Sequence, residues 1–197
     1  MDMVIYVIGF IGSDRTAAAR AASEEYGIPL YDLAAEIEAR DGRSIRRMVI
    51  TMGEHELRNK EYETLTAILK ECSEPTELSE TAADPDLPAI CKRSAAAGCE
   101  DPATPAYTAV ICCTDDLVLD PMSADLVRAG KVIIADDPEA ADSAAQKDAL
   151  LRSMFERAMA DDTTHYAFLM DPDKEKVREK FYNLYEQRRP LYESFRK

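Results

Sequence analysis

Apolar residues along the chain follow two patterns, which are short continuous runs and longer stretches with helical spacing. The short runs are typical of strands that are buried on both faces of a parallel sheet. The longer stretches are rich in alanine, glutamate and leucine and are typical of helices. Predicted strands are residues 3–9, 28–32, 106–113 and 131–136. Predicted helices are residues 16–26, 33–42, 53–71, 121–130, 138–160 and 171–197, the last bent or interrupted at Pro190.

Strands and helices alternate along the chain, and the helices that separate the strands have about ten or more residues. This order predicts βαβ units and therefore an α/β fold with a mostly parallel sheet of four or five strands. Residues 3–9 are expected to form a central strand. Ligands of such sheets bind beyond the carboxyl ends of the strands, so the loop after residue 9 is the first place to look for a site.

Residues 73–105 interrupt this order. The segment contains five prolines and no sustained hydrophobic period, a composition that is typical of irregular structure. We therefore predict a single domain over residues 1–197 with an irregular insertion at about 73–105, and we expect this insertion to be the least compact part of the chain.

Charge and cysteine content narrow the range of partners. The chain has 24 basic and 38 acidic residues, and its net charge of −14 argues against nucleic acid and anionic membranes as partners. The five cysteines form no C-x-x-C pair, and the two histidines lack zinc-ligand spacing to a cysteine pair. Because no secretory or membrane segment is visible, we expect a cytoplasmic protein with reduced thiols.

The stretch GFIGSDRT, residues 9–16, has the outline of a phosphate-binding loop, G-x-x-x-x-G-K-[ST], between a strand and a helix. Asp14 replaces the second glycine and Arg15 replaces the lysine. A carboxylate about 5 Å from a phosphate costs on the order of 3 kcal/mol per phosphate charge at an effective dielectric constant of about 20. Arg15 is expected to pair with Asp14, and Asp14 is expected to tolerate the positive φ of a glycine position. We therefore interpret the loop as degenerate.

The order of several segments resembles the shikimate kinase family. The residues that carry this resemblance are IYVIGFIGSDRT (5–16), YGIPLYDLAAEIEARDGRSIRRM (26–48), GEHELRNKEYETL (53–65) and RRPLYE (188–193). Together they cover nearly the whole chain apart from the insertion. The resemblance implies a three-layer P-loop kinase fold and, for an active enzyme, ATP and Mg²⁺ as cofactors.

The resemblance also implies roles for individual residues. Nucleotide phosphates would contact the loop, Arg15 and Asp32 would be the catalytic residues, and Thr16 and Asp32 would hold Mg²⁺. Arg58 and Arg188 match the family arginines that hold the shikimate carboxylate. The loop residues are Gly9, Gly12, Ser13, Asp14, Arg15 and Thr16.

Several family positions are changed. Ala34 replaces the second acid of the family's D-x-D, and Tyr166 stands where the lid arginine would lie. The family's triple glycine after the third strand aligns with Thr114, Asp115 and Asp116. Asp115 and Asp116 themselves are interpreted as loop or helix-cap residues.

Two functions follow from this pattern. The first is a shikimate-kinase-like protein with impaired catalysis, which acts as a binding or regulatory module, requires no cofactor and holds a small carboxylate through Arg58 and Arg188. The alternative is an active ATP-dependent kinase of shikimate or a similar small hydroxy acid, with a lid cation from Arg152, Arg157 or a partner chain. The sequence identifies no protein partner, and it leaves open whether the chain is an enzyme.

Overall fold

The computed structural model describes residues 3–73, 107–161 and 164–196. Four strands form one sheet in the order β2-β3-β1-β4, and every described pair of neighbouring strands is parallel. The strands are β1 (Met3–Ile8), β2 (Leu30–Asp32), β3 (Tyr107–Cys112) and β4 (Lys131–Ile134). The predicted parallel α/β sheet and the central position of the first strand are both confirmed.

Side chains of β1 alternate between the two faces of the sheet, as the period of a strand requires. Val4, Tyr6 and Ile8 face the larger hydrophobic core, whereas Ile5 and Val7 face a smaller one that contains Ala19 and Ala22. Helices cover both faces, so the fold has three layers, as expected. The helices are α1 (Arg15–Tyr26), α2 (Leu33–Asp41), α3 (Ile45–Met52), α4 (Glu54–Ser73), α5 (Pro121–Arg128), α6 (Ala144–Ala160) and α7 (Lys174–Glu193).

Local capping explains where the helices differ from the predicted ranges. Ser44 caps a separate helix α3, which the sequence analysis did not predict, and Gly53 separates it from α4. The helix predicted over 138–160 is divided into a short 3₁₀ turn, Pro138–Ala140, and α6, because Ser143 begins a new helix. Helix α7 passes through Pro190 without interruption and ends at Glu193.

Residues 74–106 lie outside the described residues, and the predicted insertion at 73–105 falls almost entirely among them. Within the described part of the chain, no helix is long and apolar enough to cross a membrane.

The loop after β1 lies at the carboxyl edge of the sheet, as expected, and packs tightly against α6. Gly12 has a φ of +78°, and a Cβ atom built there would lie 2.0 Å from the carbonyl oxygen of Met154. Only glycine satisfies both the backbone angle and this close contact. The close contact between the loop and α6 is therefore possible only because residue 12 has no side chain.

We expect Gly12→Ala to destabilise the protein more than Gly42→Ala. Gly42 has nearly the same φ, +79°, but a Cβ atom built there would have no other atom within 4 Å. The Gly42 variant should lose about 1–2 kcal/mol of unfolding free energy through the left-handed backbone. The Gly12 variant should lose about 1–3 kcal/mol more through overpacking against α6. Urea denaturation measures both, and equal losses would show that α6 moves aside freely.

Candidate functional site

Asp14 is the N-cap of helix α1, and its φ is negative. Its φ is −85°, so the positive φ expected at this position is not present. The Asp14 carboxylate accepts a hydrogen bond of 3.0 Å from the backbone N–H of Ala17, in the manner of an N-cap. The side chain that replaces the family's glycine therefore stabilises the start of the helix while it adds a negative charge to the loop.

Arg15 forms an ion pair with Asp115. This corrects the expected pairing of Arg15 with Asp14. The Arg15 guanidinium also donates a 3.3 Å hydrogen bond to the carbonyl oxygen of Gly9, and the pair is less than one-fifth exposed. The charge of Arg15 is therefore neutralised by Asp115, which follows β3, the strand next to β1.

A second carboxylate of the chain, that of Asp136, contacts the loop from the β4 side. The Asp136 carboxylate accepts a 2.9 Å hydrogen bond from the backbone N–H of Asp14. Arg157 from α6 contacts the same carboxylate and donates a 2.7 Å hydrogen bond to the carbonyl oxygen of Gly12. Backbone N–H groups of such loops are the donors that cradle phosphates, and here one of them is bonded to a protein carboxylate.

Thr16 and Asp32 lie near each other through Cys112. The Thr16 side chain lies close to the Cys112 thiol, and Asp32 pairs with Cys112 in the register of β2 and β3. Burial raises the pKa of Cys112 to about 11, and the nearby Asp32 carboxylate acts in the same direction. Asp32 also caps α2, since one of its oxygens accepts from the N–H groups of Ala34 and Ala35 at 3.1 and 3.2 Å.

Arg58 and Arg188 converge on a single carboxylate, that of Asp116. Arg58 on α4 donates to one Asp116 oxygen at 2.9 Å, and Arg188 on α7 contacts the other oxygen. The Asp116 side chain is 4% exposed. Burial alone would raise its pKa, but the guanidinium groups of Arg188 and Arg58 outweigh burial and hold the pKa of Asp116 below its ordinary value. Asp116 is therefore a buried, ionised carboxylate.

Glu61 completes the charge balance of this cluster. It accepts a 2.8 Å hydrogen bond from Arg58 and a hydrogen bond from the Thr114 hydroxyl, and it is 1% exposed. Burial is the main reason that the pKa of Glu61 is raised, although Arg58 opposes the effect. Two guanidinium groups thus face two carboxyl groups, with Asp116 bridging α4 and α7.

His165 and Tyr166 form one wall of the cluster. Their rings stack with centroids 4.2 Å apart. Burial lowers the pKa of His165, which favours a neutral imidazole, and the buried Tyr166 side chain lies against Asp116 and Arg188. The residue at the family's lid-arginine position is therefore a neutral group packed over the arginine pair.

Sequence reasoning found the arginine pair but missed its partners. Asp116 is not a cap, because its side chain makes no capping bond to the 3₁₀ turn that follows it. Its alignment with the family's triple glycine was the available signal, because three polar side chains at consecutive glycine positions require partners. Asp136 carried no such signal in the sequence, whereas Glu61 lies in the segment GEHELRNKEYETL that carries the resemblance.

A cleft of about 280 Å³ lies over the loop and is bounded by Asp115, Arg157, Asp161 and Thr164. Its size is at the low end of small-molecule sites. Three carboxylates, from Asp14, Asp115 and Asp136, contact the loop or its cation, and Asp32 is engaged as a helix cap. This donor set fits the phosphates of ATP and their Mg²⁺ poorly, since anionic groups already take the donors that phosphates would use.

Among the described residues, no group of three or more His, Cys, Asp or Glu side chains is arranged to hold a metal ion. Cys72, Cys112 and Cys113 are free thiols, and the last two are buried.

Comparison with known proteins points to one family. Residues 11–74 match the profile of the shikimate kinase family. The chain is 38% identical over 72 residues to a shikimate kinase of Bacillus cytotoxicus and 36% identical over 72 residues to one of Aquifex aeolicus. Each alignment spans 36% of this chain and only 40% of the relative's length.

The fold extends the similarity beyond these residues. A shikimate kinase from Acinetobacter baumannii, solved in complex with shikimate, superposes with a TM-score of 0.64 and 16% sequence identity over 99% of this chain and 80% of that one. The fold is therefore that of shikimate kinases, as predicted, and the resemblance in sequence to that family is confirmed for residues 11–74.

We expect Asp32→Ser to preserve stability and Asp32→Ala to reduce it. Serine can accept the capping hydrogen bonds of α2, whereas alanine cannot, at a cost of about 1 kcal/mol of unfolding free energy. If Asp32 acts as a cap alone, millimolar Mg²⁺ should change the melting temperature of the wild type and of the Ser variant equally. Stabilisation by Mg²⁺ of the wild type alone would instead identify Asp32 as a metal ligand.

Proposed function

We propose that this protein, which has the fold and the N-terminal sequence of a shikimate kinase, is a binding or regulatory module in which phosphoryl transfer is impaired. We further propose that the ligand of the module is a small carboxylate and that Arg58 and Arg188 are the residues that recognise it. One observation carries the proposal. The segment Thr114–Asp116 places a polar side chain against a charged residue at each of its three positions.

The nucleotide site supports the proposal through its charges. Phosphoryl transfer depends on positive charge and N–H donors fixed around the phosphates. Asp115 neutralises Arg15, and Asp136 accepts the N–H of Asp14. A triphosphate would therefore have to displace two carboxylates and approach a third, that of Asp14. Each costs on the order of 3 kcal/mol per phosphate charge at about 5 Å and an effective dielectric constant of about 20.

The positions that would bind the phosphoryl acceptor also support the proposal, because two side chains expected of the family are absent there. Ala34 offers no carboxylate to bind substrate hydroxyls, and Tyr166 offers no positive charge near the transferred phosphate. Tyr166 is also buried against Asp116, so another cation cannot occupy its place unless the buried ring moves.

Arg157 supports the alternative, an active ATP-dependent kinase of shikimate or a similar hydroxy acid. This arginine reaches the phosphate loop from α6, in the position of a cation that could face a phosphate. In that function ATP and Mg²⁺ are the cofactors, with Thr16 and Asp32 nearest to the metal. Arg152 is a weaker source of the lid cation, because it is exposed and pairs with Asp148 on the same helix.

The net charge of the chain bears on the partners that it can bind. A net charge of −14 supports the proposal that the module binds neither nucleic acid nor anionic membranes. Cytoplasmic localisation belongs to the same proposal.

We expect the wild-type protein to show no ATP- and shikimate-dependent turnover and to bind ATP–Mg²⁺ more weakly than about 1 mM. Asp14→Ser should raise ATP affinity by roughly two decades, because serine keeps the helix cap and removes the repelling charge. A coupled ADP-release assay and isothermal titration calorimetry provide the measurements.

Asp125→Asn is the matched control, since it removes one exposed carboxylate on α5. Its ATP affinity should stay within about twofold of the wild type, because the Asp125 carboxylate is exposed and salt screens its charge. Turnover by the wild type would overturn the proposal in favour of the kinase, and slowing of that turnover by Asp14→Ser would identify Asp14 as a working residue.

A further inference from the structure

The Arg58–Arg188 pair is geometrically a carboxylate site. Two guanidinium groups from different helices approach the two oxygens of one carboxylate. The planar guanidinium groups of arginine match the planar geometry of a carboxylate. Glu61 and the His165–Tyr166 wall enclose the site. The carboxylate in the site belongs to the chain itself.

We propose that Asp116 is a built-in carboxylate ligand of Arg58 and Arg188, and that a free carboxylate reaches the two arginines only by displacing it. The inference deepens the proposed function and rests on it for the identity of the arginine pair as the ligand site. It adds the way in which access to that site is controlled.

Covalent attachment gives Asp116 an advantage over any free carboxylate. A group that is held in the correct geometry acts at an effective concentration far above that of a dissolved competitor. The Asp116 side chain is 4% exposed and both arginines are less than one-fifth exposed, so removal of Asp116 leaves two guanidinium groups with Glu61 as their carboxyl partner in the cluster, which is unfavourable. The wild type should therefore bind free carboxylates weakly although its arginines are placed to hold one.

Hydrogen bonds hold the residues next to Asp116 in place. Thr114 donates a hydrogen bond to Glu61, and the carbonyl oxygen of Asp115 accepts a 3.0 Å hydrogen bond from the buried Tyr192 hydroxyl. These bonds hold the backbone of the segment in place, so a free ligand displaces the Asp116 side chain only if its own contacts with the arginines replace the two ion pairs.

Asp116→Ala provides the test, because it vacates both the charge and the space of the carboxylate. We expect the variant to melt roughly 10 °C below the wild type. Sodium acetate at about 0.1 M should recover at least half of this loss in a saturable manner, whereas sodium chloride at equal ionic strength should not. Shikimate, which carries a carboxylate on a six-membered ring, serves as the second probe. Acetate and shikimate should each bind the variant at least 100-fold more tightly than they bind the wild type.

Asp116→Asn is the matched control. Asparagine removes the charge but fills the space, so acetate should not stabilise this variant beyond its effect on the wild type. Equal responses of the Ala and Asn variants to acetate would overturn the inference, as would a wild type that binds acetate as tightly as Asp116→Ala.

Refolding from urea covers the case in which Asp116→Ala does not fold alone. Refolding in acetate but not in chloride supports the inference, and refolding in neither salt contradicts it. These outcomes are separate from those of the proposed function, which fails if the wild type turns over ATP with shikimate whatever acetate does to the variants.

Discussion

The buried ion pairs of Asp116 with Arg58 and Arg188 are the interaction on which the arrangement of the site depends. They join α4 and α7 through the segment that follows β3. Removing one member of such a buried cluster leaves an uncompensated charge and typically costs about 3–5 kcal/mol. Because Asp116 is fixed, its neighbours Thr114 and Asp115 are directed toward Glu61 and Arg15. Three consecutive side chains therefore have partners on three helices.

Helix α7 supports this segment and the phosphate loop at the same time. The Tyr192 hydroxyl lies 3.2 Å from the carbonyl oxygen of Gly9 and 3.0 Å from that of Asp115. Phe10, from the loop, makes edge-to-face contacts with Phe181, Tyr185 and Tyr192. Such pairs add about 0.5–1.5 kcal/mol each beyond the burial of their area. The loop is thus held by aromatic packing and hydrogen bonds and does not depend on a bound phosphate for its contacts.

The fold was predictable because its signals are local and repeated. Each strand is a short apolar run, and each helix that was predicted has periodic apolar positions or a recognisable cap, as at Gly27 and Gly42, whereas α3 was missed. The division of residues 138–160 was missed because Ser143 looks like an ordinary helix residue until its capping bond is seen. In the site, the arginine pair could be named from resemblance, but its partner could not. Arg58 and Asp116 are 58 residues apart in sequence, and no local pattern shows which carboxylate meets which arginine.

The site changes its character through side chains alone. In the family the positions of Thr114, Asp115 and Asp116 are glycines, which contribute no charge and leave the cations available for ligand anions. Here the same backbone path carries two carboxylates, one directed toward the loop cation and one toward the arginine pair. Each cation that would attract an anion is already neutralised from within the chain. Asp115 and Asp116 are consecutive, so a single short segment supplies the internal carboxylates of both cation sites.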